Sequence, residues 1–445
     1  MRAQCTLRQI DFLASMSQSP RPILFAATLI LVVSFMVMLL AYGVRHSFPV
    51  FFPFILNEYA WSRGDTAFMF SLHLLVYGIC APIAGLLSSR GSTKLLLLIG
   101  VMVLGLAAAA CSYATRLWHF YLLFGALAPV GLACAGSPIL NPTIMNWFAQ
   151  RRGMALGLAQ TGGGLSFVFV FMMESIIEGF GWRTAYVIMG SLTIAVLLPI
   201  VLLGYTFSPR DHGLRAVGST DDTSKSGNTE APEADCTTEE KWTRESGLKS
   251  RPLWLLFVSN MLFWGTGCYL ILAHQVKFAI DAGYSSTIAA STTAVFGLFM
   301  VIGQASSFIS DVIGREATIF VASVCTGLAT VILMFLGPGS GVVPLYTFSV
   351  LFGIGAGLFA VCVFVGVADI FYGRHFGLFC GIVTAGMGFG GAFGPWLGGV
   401  LFDISGTYRY SFLFAGLSFV ISFVCFFLAA PRRYTTIKRS RATPA

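Results

Sequence analysis

The chain has 445 residues, of which 56% are hydrophobic and only 10% charged, and its mean hydropathy is +0.80. Soluble globular domains carry about 25% charged residues, so a water-soluble enzyme is excluded. The formal net charge of +8 does not point to nucleic acid, because the basic residues cap apolar runs and form no continuous face. With 49 glycines and 41 phenylalanines, the composition is that of many glycine-spaced apolar helices in a polytopic membrane protein.

A bilayer core needs about 20 apolar residues per helix. On that rule the chain contains twelve spans, at 23–45, 66–88, 95–114, 118–141, 153–176, 184–205, 252–273, 287–309, 317–336, 343–367, 376–400 and 410–430. The first follows Arg2, Arg8 and Arg21, is too long for a signal-peptide core and lacks a cleavage site, so it reads as an uncleaved span. The alternate loops and the two tails carry 21 of the 27 Lys and Arg residues, the opposite loops carry five, and Arg45 lies at the end of the first span. By the positive-inside rule both termini are expected to be cytoplasmic.

Residues 206–251 are polar and nearly free of aliphatics, which reads as a disordered cytoplasmic linker. The expected organisation is therefore a cytoplasmic tail 1–22, a six-helix bundle 23–205, the linker, a second six-helix bundle 252–430 and a basic tail 431–445. The ten cysteines stand singly without CxxC spacing, so neither disulfides nor a zinc site are expected. No GxxxxGK[ST] or HExxH motif occurs, and no cofactor or covalent chemistry is expected.

The two halves repeat. Asn146-Trp-Phe148-Ala-Gln-Arg151-Arg152 matches Asp369-Ile-Phe371-Tyr-Gly-Arg374-His375, and the loop around Ser89, Arg90 and Lys94 matches that around Asp311, Gly314 and Arg315. Two repeated bundles enclosing a midplane site are the architecture of rocking secondary transporters. The Asp311-Val-Ile-Gly314-Arg315 loop resembles the signature of the major facilitator superfamily. Tyr42-Gly-Val-Arg45-His46, Trp61-Ser-Arg63, Asn141-Pro142, Arg151-Arg152-Gly153, Phe180-Gly-Trp-Arg183, Arg210-Asp-His and Ala368-Asp369-Ile-Phe371 are similar to its monocarboxylate porter branch.

The resemblance implies an all-α fold of twelve membrane helices in two bundles, with cargo carried by alternating access. It implies that Asp311, Gly314 and Arg315 latch the inward-closed form, with Arg90, Arg151, Arg152 and Asp369 as further gating-loop charges. Ser89 stands where the first-half signature has an acid, and cannot form that ion pair. It also sets His46 at the position of a first-span lysine that eukaryotic members use for anionic substrate. One departure matters: the branch commonly carries an Arg eight residues before the loop Asp, and here that place holds Gly303, followed by Gln304.

An ionisable group inside a span costs several kcal/mol, so each is a functional candidate. Arg45 offers a carboxylate fork and His46 titrates near neutrality; the alternative sets both in water at an outer mouth beside Pro49 and Pro53. His73 reads as a cargo or proton residue, or as a packing histidine. Glu174, with apolar neighbours, reads as a proton carrier, or as a partner of an adjacent helix. Asn141, before the Pro142 expected to end its span, and Tyr121 and Gln304 complete the expected substrate-binding set with Arg45, His46 and His73. The glycine run 390–399 reads as close helix packing.

The expected function is transport of a small organic monocarboxylate with a proton, by a monomer in the bilayer of a plasma or bacterial inner membrane. Exchange of organic anions, export of hydrophobic compounds, and a transporter-like receptor are the alternatives.

Overall fold

The computed structural model describes residues 21–88, 92–148, 152–209, 215–217, 242–371 and 376–431. Among these are eleven helices long and apolar enough to cross a membrane. They are α1 (Ile23–Tyr59), α2 (Arg63–Ser88), α3 (Thr93–Tyr113), α4 (Leu117–Trp147), α5 (Arg152–Gly204), α6 (Arg251–Asp281), α7 (Ser286–Ala305), α8 (Arg315–Phe335), α9 (Val342–Phe371), α10 (Phe376–Ser405) and α11 (Arg409–Ala429).

Helix α5 holds two of the expected spans. Its 53 residues are interrupted at Gly181, whose φ of 80° and ψ of 156° are not helical. Gly162 packs on Phe35 and Gly204 packs on Val33, at almost the same level of α1. A straight helix would hold those two glycines roughly 60 Å apart, so the chain doubles back at Gly181 into arms 152–180 and 182–204.

Two helices run further than the proline positions suggest. Helix α1 continues through Pro49 and Pro53 to Tyr59. Pro49 falls in the first turn after a hitch at Ser47, where a missing N–H costs no helical bond. Val50 N then closes on Ser47 O at 3.1 Å. Pro142 likewise does not end α4, which runs to Trp147; the break falls at Gly136, with Pro138 opening the last segment.

The linker is docked at both ends rather than free over its whole length. Val217 N bonds Trp147 O at 2.9 Å, Trp147 Nε1 bonds Thr206 O at 3.0 Å, and Trp242 packs on Phe371. A one-turn helix, Arg244–Leu248, starts at a Thr243/Ser246 capping box and sets Gly247 against Phe379. The apolar residues scattered in a polar stretch supply these anchors.

The halves meet along α2–α10, α5–α7 and α1–α6. Gly78 and Gly388 bring α2 and α10 into backbone contact. At one end of this seam Arg63 clamps the halves. Its Nη1 lies 2.6 Å from Asp281 Oδ2 and donates to Tyr408 Oη at 2.7 Å, and its guanidinium stacks 3.6 Å above the Phe402 ring. Asp403 accepts from Arg63 N at 3.0 Å and Gly64 N at 2.7 Å, so a carboxylate of one half caps the start of a helix in the other.

Candidate functional site

Arg45 sits near the middle of α1 because that helix continues past Pro49, and it is buried, with 1% exposure. The water-filled outer mouth considered for Arg45 and His46 is not where they lie. The guanidinium lies 3.9 Å from the Tyr77 ring centroid and 5.3 Å from that of Tyr42. Its Nε donates to His73 Nε2 at 3.3 Å, and its Nη2 is buried without a hydrogen-bond partner. Arg45 enters none of the ion pairs among the described residues. A buried cation costs several kcal/mol unless it is paired, and two tyrosine faces return only about 0.5–2 kcal/mol each. None of the ion pairs among the described residues offsets the Arg45 charge.

The surroundings are polar at specific points. Tyr42 Oη lies 2.9 Å from Tyr77 Oη and 3.0 Å from Ser137 Oγ, tying α1, α2 and α4 together. His73 Nδ1 bonds the Phe124 carbonyl at 2.9 Å. His46 is buried, stacked 3.7 Å from the Phe167 ring, with Nδ1 2.6 Å from Ser166 Oγ. Ser166 Oγ–H is directed to Gly163 O at 2.6 Å, so Nδ1 is the donor and Nε2 keeps its lone pair. From the second half, Tyr269 on α6 packs edge-on against the Phe70 ring, itself beside His73, so the cluster borders the other half.

Of the expected substrate-binding residues, Arg45, His46 and His73 come together. Asn141 lies one turn beyond Ser137, where its Oδ1 accepts from Gln160 Nε2 at 3.0 Å. Tyr121 is not part of the cluster: its hydroxyl bonds Asp65 O at 2.9 Å and its ring packs on Phe68 near the Arg63 end. Gln304 lies at the seam between halves, facing Gly164 of α5. Gly303 has no room for the missing arginine, because a Cβ there would lie 2.5 Å from Ile354 O and 3.1 Å from Gly357 Cα.

Glu174 is buried on α5, away from Arg45. Its Oε1 accepts from Thr287 Oγ1 of α7 at 3.3 Å, while Oε2 has no partner. Arg183 pairs instead with Glu58, at 2.9 Å. Among the gating-loop residues, Arg315 Nε bonds Asp369 Oδ2 at 3.0 Å and its Nη1 bonds Ser310 Oγ at 2.6 Å. Gly314 has φ 95° and ψ 158°. Arg90 and Arg151 lie outside the described residues, and only the backbones of Arg152 and Asp311 are described.

The tyrosines and Ser166 are what the sequence reasoning left out. Their signal was spacing: Tyr42 precedes Arg45 by three residues and Tyr77 follows His73 by four, so each shares a helix face with a charged or titratable neighbour.

The family model for the Major Facilitator Superfamily matches residues 31–364 and 340–445. The chain belongs to that superfamily. It is an integral, multi-pass transporter and not an enzyme. It is 29% identical to monocarboxylate transporter 11 of Homo sapiens over 88% of this chain and 80% of that protein. It is 25% identical to monocarboxylate transporter 13 of Rattus norvegicus over 91% and 89%. The resemblance to the monocarboxylate branch thus holds along nearly the whole chain.

In fold it matches a crystal structure of the nucleoside transporter NupG, with TM-score 0.68 at 15% identity over 91% of this chain and all of that one. It also matches a bacterial homologue of the human lysosomal transporter Spinster in an inward-facing, unoccupied conformation, with TM-score 0.65 at 15% identity over 96% of this chain and all of that one.

Proposed function

We propose that this transporter carries a small organic monoanion, a monocarboxylate, together with a proton by alternating access. The observation that carries the reading is Arg45, a buried cation without a paired acid among the described residues and with an unpartnered N–H-bearing nitrogen, beside a seam where Tyr269 of the second half packs on Phe70. A carboxylate completes the guanidinium fork and offsets the desolvation cost. The chain's relatives bear the monocarboxylate transporter name, which supports the same cargo class.

His46 is the proton carrier of this reading. Its Nε2 lone pair is left over after Nδ1 is engaged by Ser166, one residue from Arg45. Glu174, at the α5–α7 seam, is a further buried ionisable group that meets the other half. On this reading the two arms of the α5 hairpin are separate crossings, twelve in all, and the excess of Lys and Arg in alternate loops supports cytoplasmic termini. The Arg63 clamp then lies on the outer face. The proposed setting is a plasma or bacterial inner membrane, with the monomer as the working unit.

The test is uptake of labelled lactate, pyruvate, acetate and oxalate into proteoliposomes, driven by a pH jump, for the wild type and Arg45→Ala. Saturable, proton-driven uptake that Arg45→Ala loses is the expected result. Uptake that survives in Arg45→Ala removes Arg45 from the anion site. Folded wild type that accumulates none of these acids overturns the monocarboxylate reading.

A further inference from the structure

We propose that His73 is a positioning residue which holds Arg45 in place through a fixed neutral tautomer, and that it neither binds cargo nor carries the proton. The inference deepens the anion-site reading above and rests on it for its transport readout.

In α4, residues Tyr121–Leu127 form a π-helical turn. Ala128 N–H bonds Leu123 O, five residues back. In an α-helix that N–H would have closed on Phe124 O. In the π pattern the next donor along is residue 129, which is a proline without an N–H. The Phe124 carbonyl is therefore released from the helix, and a buried carbonyl needs a partner. His73 Nδ1, on α2, lies 2.9 Å from it. Turns of this kind recur at functional sites because they free such backbone groups.

A carbonyl oxygen only accepts, so Nδ1 carries the ring proton. A guanidinium only donates, so Nε2, 3.3 Å from Arg45 Nε, presents its lone pair. Both ring nitrogens are engaged, and the imidazole is neutral. A second proton on Nε2 would point at the Arg45 N–H and set two cations face to face in a dry site. The charged and titratable groups around the ring are Arg45, His46 and Tyr42 from α1, Tyr77 on its own helix and Tyr269 from α6. None is an acid that would stabilise an imidazolium. With Nε tethered to His73, the unpartnered Nη2 end of the guanidinium is the part left for cargo.

The experiment compares His73→Leu and His73→Gln with the wild type in pyruvate uptake at pH 5.5, 6.5 and 7.5. In parallel, 15N NMR is recorded on histidine-labelled protein, with the six histidines of the chain resolved by subtracting the His73→Gln spectrum. Leucine keeps the bulk and loses both bonds, so KM rises at least tenfold at every pH with Vmax within twofold. Glutamine supplies one donor and one acceptor, so KM recovers to within threefold, with the wild-type dependence on the proton gradient. The His73 resonances report a neutral Nδ1–H ring at all three pH values.

A glutamine variant whose uptake no longer follows the proton gradient would make His73 a proton carrier. A leucine variant with wild-type KM would make it packing, and an Nε2–H or doubly protonated ring would break the tautomer argument. Each of the three overturns the proposal. If the wild type takes up neither pyruvate nor any of the other acids tested above, the transport reading fails, and the NMR tautomer still decides the role of His73.

Discussion

Arg45 combines a stability cost with a chemical use. Its charge is removed from water without a counter-acid, so a side chain of similar length and no charge relieves the fold. Arg45→Met is expected to abolish saturable anion uptake while raising the apparent melting temperature in detergent by ~2–5 °C. A fall in melting temperature would mean that the ring and His73 contacts outweigh the desolvation cost. Much of this site was legible at the residue scale: a charged residue in an apolar run declares itself, and so do His46 and His73. What composition could not give is direction, since Tyr121 is as apolar in context as Tyr77 but turns toward Asp65 instead of Arg45. The span-8 arginine is a similar case. Its absence is visible in the sequence, but the reason, backbone contact between Gly303 and Gly357, exists only between helices.

At the scale of the element, glycine carries two turns that no other residue could make cheaply. Gly181 and Gly314 both combine φ near +80° to +95° with ψ above 150°, a region closed to side chains because a Cβ would collide with its own backbone. Nothing lies within 4 Å of the Cβ position at Gly181, so Gly181→Ala isolates the backbone term. It is expected to destabilise the fold by about 1–3 kcal/mol, measured by thermal unfolding of purified protein. An unchanged stability would show that the arms of α5 reverse without that conformation. Helix existence was readable from local hydropathy, and ten of the eleven helices each correspond to one expected span while α5 holds two. The ends of α1 and α4 were misjudged because Pro49 and Pro138 fall in first turns, where the missing N–H costs no helical bond, while Pro53 and Pro142 sit inside their helices and are carried through without ending them.

For the whole molecule, Arg63 and Asp403 join the two halves at one end of their seam. Neutralising Asp403 removes the cap that one half places on α2 of the other, and so favours separation at that end. Spin labels at positions 180 and 404, which are 71% and 80% exposed on opposite halves, should report a longer distance in Asp403→Asn than in the wild type. An unchanged distribution would assign closure to the apolar seam alone. The sequence by itself determined the class of the molecule, its helix content, its repeat and its family, because each of these rests on local hydropathy or on short motifs with their own chemistry. Tertiary structure decided which polar groups meet. The Tyr42–Tyr77–Ser137 hydroxyls, the Phe124 carbonyl beneath His73 and the Arg63 clamp join residues distant in the chain. Hydrogen bonds and charge pairing act over about 3 Å, and only the packing of one helix on another brings such groups within that reach.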